Sequence, residues 1–128
     1  MVALLAMGPV IAEGKVSLPQ EAHINQHLIA AAAGDILRKT CPTLEARTFF
    51  VLTKLAELKS YTRSKGYTEA EVAAFLKSGA EKTRIRNTAR AYLAEAGAVQ
   101  GDVASYCKAG KGEIAKQTLV GSLLRSTK

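Results

Sequence analysis

TLEARTFFVLTKLAELKSYTRSK, Thr43 to Lys65, is the longest uninterrupted helical pattern in the chain, and its reading decides the fold class. Leu44, Val51, Leu52, Leu55 and Leu58 keep to helical spacing, and Phe49 and Phe50 widen the apolar stripe beyond what one neighbour would cover. The stretch therefore predicts a central helix packed on several sides. Thr43 is in position to cap it, and Cys41-Pro42 stands before it as a break that no preceding helix can cross. Arg63 and Lys65 suit the negative end of the helix dipole, and Gly66 supplies the left-handed stop.

On the N-terminal side, Ile24, Leu28, Ala31, Ala32 and Ile36 mark one face of a helix from Gln20 to Arg38, and Ala30 to Ala33 makes its surface smooth. On the C-terminal side, Thr68 and Glu71 have capping-box spacing and open a short helix that buries Val72, Phe75 and Leu76. Ser78 and Glu81 repeat the device, and the helix they open turns Ile85, Ala89, Tyr92 and Leu93 inward until Gly97. Asp102 caps a fifth helix reaching about Leu124, with Val103, Cys107, Ile114, Val120 and Leu124 inward, and its glycines imply either close backbone contact or a break near Gly110 to Gly112. No stretch alternates long enough to make a strand. The class is all-α, a compact bundle of about five helices.

A chain of 128 residues, 48% hydrophobic, is long enough for one domain with a real core. Met1 to Ala12 carries no charge and is too short to cross a bilayer. It resembles the apolar part and cleavage site of a secretory signal, with Val10 and Ala12 at the small-residue positions, so residues 13 to 128 form the single helical domain. No Lys or Arg precedes the run, so it is either the inner part of a longer signal or an apolar N-terminal arm.

The 18 Lys and Arg against 11 Asp and Glu give a net charge of +7, which favours an anionic protein or lipid surface as partner. Trp is absent and aromatics are 5%, so stacking platforms for bases are scarce and nucleic acid is disfavoured. Lys82, Arg86 and Arg90 recur every four residues on one helix, with Arg84 beside them. Such a row binds phosphate or carboxylate groups, or serves as a solvated face.

Cys41 and Cys107, an even pair in a chain with a signal-like start, favour a structural disulfide over buried thiols or a catalytic thiol. His23 and His27, four apart on a helix, have the spacing of two metal ligands, with only Glu21 or Glu13 nearby as a third; the pair is a weak metal candidate. No phosphate loop, metalloprotease motif or nucleophile elbow is present, so no catalytic residue and no cofactor are assigned. The expectation is a non-enzymatic accessory protein binding an anionic partner through Lys82, Arg84, Arg86 and Arg90. The alternatives are a cytoplasmic basic domain binding nucleic acid and a small enzyme using His23 or His27.

KTCPTLEAR (Lys39 to Arg47), SKGYTEAEV (Ser64 to Val72), ARAYLA (Ala89 to Ala94), ASYC (Ala104 to Cys107) and GSLLR (Gly121 to Arg125) resemble a family of small exported alphaproteobacterial proteins known only as a domain of unknown function. The similarity spans about Leu18 to Arg125. It implies export to the periplasm, a disulfide between the two cysteines and a link to a respiratory membrane complex. It implies no catalytic residue.

Overall fold

Ala30, Ala33, Gly34 and Leu37 are buried along helix α1 (Ala22–Thr40), and this row of small side chains places α1, not the Thr43 to Lys65 stretch, at the centre. The computed structural model describes residues 15–128, so the signal-like segment Met1 to Ala12 and Glu13 lie outside the described residues. A single 3-10 turn, Leu18–Gln20, leads into α1. Then follow β1 (Leu44–Ala46), α2 (Thr48–Ser64), α3 (Glu69–Lys77), α4 (Gly79–Glu95), α5 (Val103–Lys116), α6 (Leu119–Ser122) and β2 (Leu124–Ser126). Helix α1 touches β1, α2, α4, α5 and α6. The main core gathers Ala30, Ala33, Leu37, Leu44, Ala89, Leu93, Val120 and Leu124 around it, and a smaller one holds Leu18, Ile24, Tyr67 and Phe75.

The all-α class holds, with six α-helices among the described residues, and several sequence expectations need correction. On the first helix the buried face runs through Ala30, Ala33 and Leu37, so Ala31 faces solvent. The expected central helix starts at Thr48, because Leu44, Glu45 and Ala46 instead pair antiparallel with Ser126, Arg125 and Leu124. Each strand is three residues long, too short for alternation to announce it. The Thr43 hydroxyl lies 3.3 Å from the Cys41 sulfur and caps nothing. Phe49, Leu52 and Leu55 are exposed, and Thr62 is the buried residue of α2. Leu76, Tyr92 and Val103, expected inside, are also exposed.

Other local readings hold. Thr68 and Glu71 close a full capping box, Ser78 accepts from the Glu81 amide, and Asp102 accepts from the Ser105 amide. Gly66 and Gly97 take left-handed φ values of 87° and 103° after α2 and α4. The last helix, however, passes through Gly110 and Gly112 and breaks at Gln117, whose φ is 57°; Thr118 then caps α6.

Two of the glycines are explained by close approach. A Cβ on Gly110 would meet Leu44 Cδ1 at 2.4 Å, and one on Gly121 would stand 2.0 Å from the Glu113 carbonyl oxygen. Gly110 thus seats β1, and Gly121 lets α6 fold back against the α5 backbone. Cys41, at the end of α1, is bonded to Cys107 in α5, with Cα atoms 5.1 Å apart and a sequence separation of 66. Closing such a loop in the unfolded chain is worth about 4 kcal/mol in the chain-entropy account.

Gly121→Ala should therefore destabilise the protein by more than about 2 kcal/mol, since the clash is with backbone. Gly112→Ala, with nothing near its Cβ, should gain about 0.5–1 kcal/mol in the helix interior. Denaturant melts of the two variants check this, and equal effects would remove the packing account of α6.

Candidate functional site

Helix α4 starts at its Ser78 cap and anchors itself by Ala89 and Leu93, which leaves Lys82, Arg86 and Arg90 exposed. None of the three is in an ion pair among the described residues. Arg84 does not join them. Its guanidinium pairs with Glu81 at 2.7 Å and donates to Asn25 Oδ1 at 2.6 Å, and Asn25 is buried, donating in turn to the Leu18 and Glu21 carbonyls. Arg84 is thereby a strut between α4 and the start of α1. On the same helix Glu81 is consumed by this contact and Glu95 sits at the far end, so the outward row remains positive.

The histidines share a helix face as their spacing requires. His23 lies between His27, at 4.3 Å between ring centroids, and Tyr61 of α2, at 4.2 Å, with both pairs of rings tilted. His27 Nδ1 is 2.9 Å from the His23 carbonyl. Among the described residues neither ring is hydrogen-bonded to a carboxylate or thiol, and no group of three His, Cys, Asp or Glu is placed to hold a metal ion. Glu21 turns away to α2, where it accepts from the Tyr61 hydroxyl while capping α1 at the Ile24 amide. Burial pushes the Glu21 carboxyl up, but the Ile24 amide and the Tyr61 hydroxyl outweigh it and hold the group below the ordinary carboxylate range. The same contact, with burial, raises Tyr61.

Beside this cluster a groove of about 80 Å³ runs between α1 and α2, lined by Leu28, Ala31, Val51, Leu55, Leu58 and Leu119. Its walls are aliphatic, with His27 and Lys54 at the edge. It offers a place for methyl groups and none of the convergent polar atoms that chemistry on a bound substrate requires.

Two features escaped the sequence reading. Glu113 is buried, accepting from the Tyr92 hydroxyl and, at 2.6 Å, from Thr118 Oγ1, so it binds α5 to α4 and to the cap of α6. Burial and this carboxylate push the Tyr92 phenol up. Nothing in the local pattern distinguished Glu113 from a surface residue, because Tyr92 lies 21 residues away and Thr118 reaches it only once the chain turns back after α5. The second is the outward apolar edge of α2, whose residues were legible as apolar but were assigned to the core.

A family model described as a family of unknown function, DUF5333, matches residues 16–125. No curated protein and no solved structure matches the chain.

The depressed Glu21 carboxyl has a direct consequence for stability. A carboxyl held low in the folded state stabilises it above the ordinary carboxylate pKa, and that stabilisation is lost as pH falls through the folded-state value. Glu21→Gln should cost about 1 kcal/mol at neutral pH, as loss of a cap does, with the difference from wild type vanishing in acid. Thermal melts across pH for both proteins measure this; a constant difference at every pH would contradict the ionised cap.

Proposed function

This chain belongs to the DUF5333 family of unknown function, and we propose that it is a non-enzymatic accessory protein of the periplasm that docks on an anionic partner through the exposed face of α4. The observation that carries this reading is that Lys82, Arg86 and Arg90 are exposed on one helix and form no ion pair among the described residues, while Arg84 is tied into the fold. A row of like charges four residues apart costs helix stability, and an anionic partner would relieve that repulsion. The partner is a headgroup surface or the acidic face of a membrane-bound complex, a respiratory one by the resemblance noted above.

The disulfide supports export, since such bonds persist in oxidising compartments. The mature protein is then expected to begin near Glu13, and N-terminal sequencing of periplasmic material checks it; retention of Met1 there would oppose a cleaved signal. The enzymatic alternative has less support, because His23 lies against His27 and Tyr61 and, among the described residues, neither imidazole is hydrogen-bonded to a carboxylate or thiol. A nucleic-acid binder would be recognised by steep salt dependence of DNA affinity.

Arg86→Gln with Arg90→Gln is the direct test. At about 1 kcal/mol for each basic residue near an anionic surface, the double variant should bind native membranes up to roughly thirtyfold more weakly at low salt. Its melting midpoint should stay close to that of wild type, both side chains being exposed. Identical recovery of partners by the two proteins at low and high salt would reduce the row to a solvated face.

A further inference from the structure

Helix α2 is apolar around most of its circumference in its first half. Phe50, Val51 and Leu58 point inward and are half-buried, whereas Phe49, Leu52 and Leu55 keep 86%, 55% and 53% of their surfaces exposed, Leu55 at the margin where it also lines the groove against α1. Helices apolar on all sides are normally covered on all sides. Here the cover is missing on one side, and the uncovered residues stand three apart, so they form one edge rather than scattered single exposures.

The surroundings of that edge narrow what covers it. Lys59 and Arg63 continue the same outward side one and two turns further along and are exposed, Arg63 with a long 3.9 Å contact to the exposed Glu69. Arg47 lies at the apolar end, its guanidinium 4.6 Å from the Phe50 ring centre. From Arg47 to Lys65 the chain has five basic residues and one acidic residue, Glu57, which is taken by Lys54 at 3.2 Å. A second copy of this chain would bring a like-charged surface and a total charge of +7 against the first. An acidic protein surface would satisfy the charges but would need a cavity to receive Phe49, which projects as a convex edge. A soft anionic interface receives such an edge without a preformed cavity, and apolar side chains flanked by Lys and Arg are the pattern of helices lying in a membrane surface.

We propose that the outer side of α2 seats on an anionic lipid bilayer, with Phe49, Leu52 and Leu55 entering the acyl boundary and Arg47, Lys59 and Arg63 meeting the headgroups. No helix among the described residues is long and apolar enough to cross a membrane, and the attachment proposed is one of the α2 surface. The inference shares an anionic partner with the proposed function but uses none of the α4 residues. The two readings therefore fail separately.

The absence of Trp from the chain makes the test direct. Phe49→Trp introduces a single indole at the position said to enter the bilayer. Vesicles of equal parts phosphatidylglycerol and phosphatidylcholine should shift its emission to the blue, and brominated acyl chains should quench it; pure phosphatidylcholine vesicles should do neither. Adding Leu52→Ser and Leu55→Ser should weaken vesicle binding about tenfold or more. Adding Arg86→Gln and Arg90→Gln instead should leave both the blue shift and the quenching in place at saturating lipid. Circular dichroism melts keep the comparison among folded proteins. An unchanged emission on anionic vesicles would overturn the inference, as would equal binding to both vesicle types. A blue shift that appears without lipid and grows with protein concentration would show that a second copy covers the edge, and would also overturn it. Loss of the signal only in the α4 variant would leave the docking reading intact and remove the α2 surface.

Discussion

One helix has to accept neighbours on several sides at once, and its small side chains are what permit this. Ala33 and Leu37 of α1 are fully buried, Ala30 and Gly34 nearly so, and α2, α4, α5 and α6 all come to rest against that helix. A larger residue at Ala33 would have to displace a helix, because interiors are close-packed and transmit such strain. Everything else is arranged to hold those neighbours in place. Cys41 extends the end of α1 into α5 by a covalent bond, Arg84 and Asn25 join its beginning to α4, and Glu113 draws α5, α4 and the cap of α6 together. Each polar junction is satisfied, and among the described residues no buried side-chain nitrogen or oxygen lacks a partner.

Helix α2 is the exception to this economy. It contributes one buried residue and meets α1 chiefly through half-buried side chains and through Tyr61 at the histidine pair. Phe50, Val51, Leu58 and Tyr61 pack it against the two cores, cations lie over Phe50, and Gly66 stops it. A structural helix could bury more; one kept outward at this cost has surface to offer.

How far the sequence revealed this follows from what local pattern encodes. Caps and stops were legible because Thr68, Glu71, Asp102, Gly66 and Gly97 act on backbone groups a few residues away. The disulfide was legible from two cysteines and their context. The identity of the central helix was not, since the density of Leu and Phe in Thr43 to Lys65 announces helical periodicity and apolar area without saying which neighbours arrive. The strand pair was invisible for the same reason: Leu44 to Ala46 finds its partner some eighty residues later. The spacing of Lys82, Arg86 and Arg90 put them on one exposed helix side, but Arg84 belonged elsewhere, because Asn25 lies 59 residues away in the chain.

The core presents two helices outward, α4 with charge and α2 with an apolar edge among cations, and the proposal is that the protein docks through them on an anionic surface. Covalent footprinting of lysines in the presence and absence of native membranes tests that claim most directly. Lys82 on α4 and Lys59 on α2, both exposed in the free protein, should become protected, while Lys111 and Lys116 on α5, equally exposed, keep their reactivity. Unchanged reactivity at all four, or protection centred on α5, would contradict it.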